Sequence, residues 1–148
     1  MIEVSDAPWK VLPPGIHTAT LQEIENFFAI NNERRAIFNG LYAAAKALAD
    51  AGCQKLYIDG SYVTGKPIPG DFDGCWVPDG VDPNKLDPVL LDFGCGRKNQ
   101  KSKYLGELFI EGIEGQSGLP FSTFFQREKH SGKQKGILTV DLQNEQFL

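Results

Sequence analysis

The clearest hydrophobic pattern in the chain has the period of an α-helix and covers residues 33–51. Apolar side chains recur there at spacings of three and four residues, which places one stripe on a single helix face: Ile37, Leu41, Ala44 and Leu48. Gly52 follows the last of them, at a position where a left-handed C-cap is common. Thr20 and Glu23 have the spacing of a capping box, so a shorter helix is predicted to begin there.

Beyond Gly52 the pattern changes to short apolar runs that are typical of β-strands. The predicted strands cover residues 56–58, 71–77, 107–110 and 136–142. A loop rich in Gly and Pro separates the first two strands. Asp82-Pro83 and Asp87-Pro88 each place an acidic N-cap before a proline, which indicates two further helix starts.

This order of helices and strands predicts an α+β fold. We expect one small mixed β-sheet of four or five strands, with helices packed mainly on one face. The sequence contains no linker long enough to separate two domains. The 148 residues therefore predict a single domain over residues 1–148, in which the proline-rich residues 1–15 form an extended lead-in.

Composition narrows the classes of function. Hydrophobic residues make up 41% and charged residues 23% of the chain, as in ordinary globular proteins. The net charge of −4 disfavours a protein that binds nucleic acid by general electrostatic attraction, and no DNA partner is expected. The chain has neither a long apolar run nor a signal-like N-terminus, so we expect a cytoplasmic protein that makes no membrane contact.

Candidate chemistry is concentrated in residues 60–73, GSYVTGKPIPGDFD. Gly60 allows a sharp turn after the buried strand, and the Ser61 hydroxyl and amide can donate hydrogen bonds to a phosphate. Asp71 and Asp73 are two residues apart on a strand, so both side chains should project from one face, about 6–7 Å apart. Adjacent carboxylates repel each other unless a cation lies between them, and Mg²⁺ suits this role.

A strand, Gly-Ser, nine further residues and then Asp-x-Asp on the next strand resembles the signature of the polymerase-β-type nucleotidyltransferase superfamily. The likeness is to its minimal, single-domain members in bacterial toxin–antitoxin and defence loci. The resemblance covers residues 56–77. It implies that Gly60 and Ser61 hold the triphosphate of an NTP, and that Asp71 and Asp73 bind Mg²⁺ or Mn²⁺.

The same resemblance implies a third carboxylate on a later strand. We favour Asp141, because the apolar neighbours Val140 and Leu142 would face the core and leave Asp141 on the other face. Glu107, in a weaker predicted strand, is the first alternative. Asp92, in an apolar run with helical character, is the second. Asp141 is therefore predicted to be catalytic together with Asp71 and Asp73.

Basic residues offer further phosphate contacts. Lys66 lies in the loop between the Gly-Ser turn and the aspartates, where it could contact a phosphate as a point charge. A second basic group could bind a phosphate, an RNA acceptor or an acidic partner, although a solvated helix face is the more common outcome for such a run: Arg97, Lys98, Lys101 and Lys103.

The whole chain also resembles a family of small uncharacterised bacterial proteins grouped with the nucleotidyltransferase-like fold, through LPPGIHTATLQEI, GDFDGCW, LDPVLLDF and KGILTVDL. Together the resemblances imply metal-dependent transfer of NMP from an NTP to a hydroxyl of a protein or RNA acceptor, such as a cognate toxin. The alternative is a non-catalytic binding module of the same fold, such as an antitoxin. A haloacid-dehalogenase-type phosphatase fits less well, because GKPIPG rather than a long apolar strand precedes Asp71.

Overall fold

A five-stranded mixed β-sheet forms the centre of the computed structural model, which describes residues 1–2, 7–112, 120–121, 126 and 131–147. Its strands are β1 (Gly15–Thr18), β2 (Lys55–Asp59), β3 (Phe72–Trp76), β4 (Gly106–Ile110) and β5 (Gly136–Asp141). They lie in the order β1-β5-β2-β3-β4. The outer pairs β1–β5 and β3–β4 are parallel, whereas β2 is antiparallel to both of its neighbours.

Three α-helices accompany the sheet in the described part of the chain. They are α1 (Leu21–Phe28), α2 (Asn32–Asp50) and α3 (Gly94–Tyr104). Within α3, residues Cys95, Gly96 and Arg97 have left-handed backbone angles, so the regular right-handed helix begins after this turn. Short 3-10 helices cover Ser61–Val63, Pro88–Leu91 and Leu142–Asn144. None of the helices in the described residues has the length and apolar character needed to cross a membrane.

Local sequence signals explain where α1 and α2 begin and end. The side chain of Thr20 accepts a hydrogen bond from the amide of Glu23, and the Glu23 carboxylate accepts one from the amide of Thr20, so the predicted capping box is confirmed. Asn31 caps α2 by accepting from the amide of Arg34. Gly52 follows α2 with φ = +94°, the left-handed geometry expected of a terminating glycine.

The two faces of the sheet differ in polarity. One face is apolar and packs against α1 and α2 in a single hydrophobic core, to which the strands contribute Leu56, Ile58, Phe72, Leu108, Leu138 and Val140. We call the opposite side the polar face; it carries Asp59, Asp73 and Glu107 at one end, and Tyr57, Cys75 and Phe109 lie two residues away along the same strands. The α-helical stripe predicted within residues 33–51 lies in the core, with Leu41, Ala44 and Leu48 fully buried.

The third helix protects an edge of the sheet. Arg97 donates through Nε to the carbonyl of Leu108 at 3.3 Å, and Gln100 accepts from the Leu108 amide at 2.9 Å. These are backbone groups of the edge strand β4 that β3 does not use, and unpaired edges promote association with other chains. The predicted small mixed sheet is therefore confirmed, with α1 and α2 on its apolar face and α3 along the β4 edge.

The structure also differs from the expected elements in two places. No strand was predicted directly after the extended lead-in of residues 1–15, but Gly15–Thr18 forms β1, which pairs with the distant β5. Asp82 and Asp87 both accept backbone amides, as predicted, but only a turn and the 3-10 helix Pro88–Leu91 follow them. Pairing between distant segments and the length of a helix both depend on tertiary packing, which caps alone do not determine.

Candidate functional site

Three carboxylates form a row across the polar face. Asp59 on β2 lies directly opposite Asp73 on β3, and Asp73 lies directly opposite Glu107 on β4. Opposite residues on neighbouring strands point to the same face, with Cβ atoms about 4.5–5.5 Å apart. Asp71 precedes Asp73 by two residues, and the intervening Phe72 is fully buried in the core. The carboxylate cluster thus consists of Asp59, Asp71, Asp73 and Glu107, and it contains both predicted aspartates.

Asp73 lies at the centre of this negative charge. Its pKa is raised from 3.8 to about 7, first by burial and then by the charges of Asp71, Asp59 and Glu107. Lys135 opposes these effects only in part. The pKa of Asp71 is also raised, by burial and by Glu107. The ionised forms of Asp71 and Asp73 are therefore unfavourable in the free protein. A cation bound at the cluster would stabilise both ionised carboxylates.

Gly60 brings the main chain directly against Asp73. Its φ is +80°, and a Cβ atom added to Gly60 would lie 2.0 Å from Oδ2 of Asp73. Only glycine therefore fits at this turn. Ser61 begins a 3-10 turn in which its carbonyl accepts from the amide and the hydroxyl of Thr64. The predicted Gly-Ser pair thus lies beside the predicted Asp-x-Asp pair.

Arg34 holds the loop that follows Ser61 through hydrogen bonds, although it was not predicted to belong to the site. The guanidinium is only 2% exposed and donates to three carbonyls of the loop, those of Tyr62 at 2.8 Å, Thr64 at 2.8 Å and Lys66 at 2.6 Å. It also donates to the carbonyl of Phe28 at 3.2 Å. Arg34 lies three residues before Ile37, so it continues the buried stripe of α2, which was the signal available in the sequence.

Two lysines neutralise part of the cluster. Lys135 Nζ lies 2.7 Å from Asp59 Oδ1, and both side chains are less than one-tenth exposed. Lys101 Nζ lies 3.0 Å from Glu107 Oε1, with Lys101 45% exposed. Lys66 lies close enough to lower the pKa of Asp71, and its ammonium sits 5.2 Å from the centre of the Trp9 ring. The predicted phosphate contact thus borders the cluster.

Asp141 does not lie at this site. It pairs with Lys55 at the far end of β2 from Asp59, about 13 Å away along the sheet by the usual rise of a strand. The side chain is exposed and accepts from Asn144 at 2.8 Å. The expectation that Asp141 supplies the third carboxylate is therefore corrected: β5 is antiparallel to β2, so its last residue lies beside the first residue of β2.

The two alternatives are placed very differently. Glu107 lies next to Asp73 in the row of carboxylates. Asp92 is outside the row, where it accepts from Asn99 at 2.6 Å and from the amide of Gly94 at 3.1 Å. Of the three candidates, only Glu107 is in register with Asp73.

The donors of the cluster suit Mg²⁺ or Mn²⁺, which prefer carboxylate oxygens. As they stand, however, no three His, Cys, Asp or Glu side chains in the described residues are grouped closely enough to hold a metal ion. Glu107 and Asp59 point to lysines instead. The carboxylates thus fit such an ion by residue type and by their positions on and beside β3 and β4. Glu107 must leave Lys101 before it can bind an ion together with Asp71 and Asp73.

Comparison with known proteins places the chain in a family. Neither the curated proteins nor the solved structures contain a match to it. The sequence model of DUF6932, described as a family of unknown function, matches residues 6–141, which is most of the chain. The chain therefore belongs to the DUF6932 family.

Proposed function

We propose that the protein is a metal-dependent nucleotidyltransferase, which transfers NMP from an NTP to a hydroxyl of a protein or RNA and releases pyrophosphate. The observation that carries this proposal is the position of Asp73 against the Gly60-Ser61 turn, with Asp71 two residues before it in the chain and Glu107 in register beside it. Such an arrangement combines phosphate donors with carboxylates that need a cation. It supports a nucleotidyltransferase-like fold for this sheet.

The Gly-Ser turn has the role of phosphate holder in this proposal. The Asp73 carboxylate lies against Gly60 on the side where a Cβ atom would otherwise stand, and the next residue, Ser61, offers a hydroxyl and an amide as donors. Lys66, farther along the loop, adds a positive charge near Asp71. Arg34 keeps the loop in place through its carbonyls, so it is a positioning residue rather than a contact to substrate.

Asp71, Asp73 and Glu107 are the residues that would hold Mg²⁺ or Mn²⁺. When bound, such an ion neutralises phosphate charge and orients the reacting oxygens. Glu107 takes the place for which we predicted Asp141. Asp59 stays paired with Lys135, so its charge adds to the field at Asp73 without entering the ligand set.

Incubation with labelled NTPs and Mg²⁺ tests the proposal. Candidate acceptors are RNA, added proteins and the chain itself. We expect label transfer by the wild type and a loss of about 100-fold or more in Asp71→Asn and Asp73→Asn, since each removes charge stabilisation from the reacting centre. Asp141→Asn is the matched control, because it makes the same charge change outside the cluster and should retain transfer. Transfer that survives both substitutions in the cluster would exclude this site.

A non-catalytic binding module is the second candidate function. It is favoured by the pairing of Glu107 with Lys101 and of Asp59 with Lys135, which neutralises two of the four carboxylates internally. Such a module, an antitoxin for example, would bind its partner protein with the same affinity in the presence and absence of Mg²⁺. The substitution Asp73→Asn would also leave that affinity unchanged. Calorimetry with a purified partner, in Mg²⁺ and in EDTA, separates the two functions.

A further inference from the structure

The basic residues of α3 divide into two groups with different surroundings. Lys103 turns away from the carboxylate cluster and pairs with Asp87 at 2.5 Å. Lys101 turns toward the cluster, pairs with Glu107 and also interacts electrostatically with Asp71 and Asp73. The basic run in the sequence is therefore not a uniform solvated face. One of its lysines borders the carboxylates that the proposed function assigns to a metal ion.

Lys101 can change partners without moving the helix that carries it. The helix is fixed to β4 by Gln100, which accepts from the Leu108 amide. Arg97, in the left-handed turn that precedes the regular helix, adds a second anchor, because its guanidinium lies 3.8 Å from the centre of the Phe109 ring. Lys101 itself is 45% exposed and has a flexible four-carbon stem. Its ammonium is thus a mobile charge on a fixed support.

Glu107 cannot satisfy Lys101 and a divalent cation in the same way at the same time. A dication bound between Asp71, Asp73 and Glu107 would repel an ammonium group that now lies 3.0 Å from the Glu107 oxygen. The displaced ammonium would remain within a side chain's length of the cluster. There, the groups of opposite charge available to it are the phosphates of the incoming nucleotide.

We propose that Lys101 exchanges partners during binding: it neutralises Glu107 in the free protein and contacts a phosphate of the NTP once a divalent cation has taken Glu107. This inference rests on the proposed function, since it requires both a cation and an NTP at the cluster. It assigns to Lys101 a role in substrate binding and makes the pair with Glu107 a built-in competitor of the metal ion.

The exchange gives Lys101→Met two opposite effects. Mn²⁺ alone should bind about 2–5-fold more tightly to this variant, because it no longer displaces an exposed ion pair. A non-hydrolysable NTP analogue, offered in saturating Mn²⁺, should bind about 10-fold or more weakly, because a charged phosphate contact is lost. A lysine that merely stabilised the fold would not change the two affinities in opposite directions.

Electron paramagnetic resonance of free Mn²⁺ measures the first affinity, and calorimetry with the four NTP analogues measures the second. Lys98→Met is the control, since it removes the same charge from an exposed position of the same helix and should change both affinities by less than about 2-fold. Mn²⁺ binding to the wild type that Asp73→Asn abolishes, combined with unchanged or weaker Mn²⁺ binding in Lys101→Met, overturns this inference alone. Equal effects of Lys98→Met and Lys101→Met also overturn it. Absence of Mn²⁺ binding in the wild type overturns the proposed function together with it.

Discussion

Asp73→Asn is expected to stabilise the metal-free protein, raising its free energy of unfolding at pH 8 by about 2–4 kcal/mol. The pKa of Asp73 rises from 3.8 to about 7 on folding, chiefly through burial and then through the neighbouring carboxylates. The folded state therefore holds its proton more tightly than the unfolded state. This contribution to stability is complete below about pH 4 and is lost as the pH rises toward 7, and the neutral amide avoids that loss.

Urea unfolding in EDTA at pH 5 and pH 8 measures the effect. The advantage of Asp73→Asn over the wild type should be smaller at pH 5 than at pH 8. Asp141→Asn makes the same charge change at an exposed position outside the cluster, and it should alter stability by less than about 0.5 kcal/mol at either pH. A destabilised Asp73→Asn at pH 8, or an equal gain in Asp141→Asn, would contradict the electrostatics described for the cluster.

Arg34→Met is expected to lower the free energy of unfolding by about 3–5 kcal/mol. The substitution leaves the carbonyls of Phe28, Tyr62, Thr64 and Lys66 without their shared donor, in surroundings where the guanidinium is almost fully buried. Methionine fills a similar volume but donates no hydrogen bond. Arg34→Lys should recover only part of the loss, because a single ammonium cannot span four carbonyls as the planar guanidinium does.

Chemical denaturation gives the stability, and hydrogen exchange at residues 62–66 shows whether the loop is affected first. Arg35→Met is the matched control: Arg35 is adjacent on α2, is exposed, and donates to the nearby Asn32 side chain at 2.7 Å. We expect that variant to stay within about 0.5 kcal/mol of the wild type. An Arg34→Met variant as stable as Arg35→Met would show that the loop does not depend on this guanidinium.

Features that depend on neighbouring residues were predictable from the sequence. The capping box at Thr20 and Glu23 and the left-handed Gly52 are set within one helical turn, so no tertiary information is needed to find them. The proximity of Asp71 to Asp73 follows from their spacing of two residues, with Asp71 directly before β3 and Asp73 within it. The Gly60-Ser61 turn lies beside Asp73 because β2 and β3 are antiparallel neighbours, which places the end of β2 next to the start of β3.

The third carboxylate could not be chosen in this way. Asp141 and Glu107 both lie in strands, and only the strand order decides which of them reaches Asp73. Because β5 pairs with β2 while β4 pairs with β3, Glu107 comes into register with Asp73 and Asp141 goes to the opposite end of the sheet. Local propensity contains no information on that order.

The same reason explains the ion pairs of the site. Lys135 and Asp59 are 76 residues apart in the chain, and they meet only because β5 lies beside β2. Arg34 is different: its place in the stripe of α2 marked it as facing the core, where an unpaired charge would be costly. A buried arginine at the start of a long helix was thus a local signal for a loop packed against it.

The central claim is that Asp71, Asp73 and Glu107 form a divalent-cation and nucleotide site beside Gly60-Ser61. A crystal structure with Mn²⁺ and a non-hydrolysable NTP analogue, using the anomalous signal of manganese, tests this most directly. We predict an anomalous peak about 2.1 Å from carboxylate oxygens of Asp71, Asp73 and Glu107, with the triphosphate against Ser61. A crystal with saturating Mn²⁺ that shows no peak at these carboxylates, or shows the ion at Asp141 instead, would contradict it.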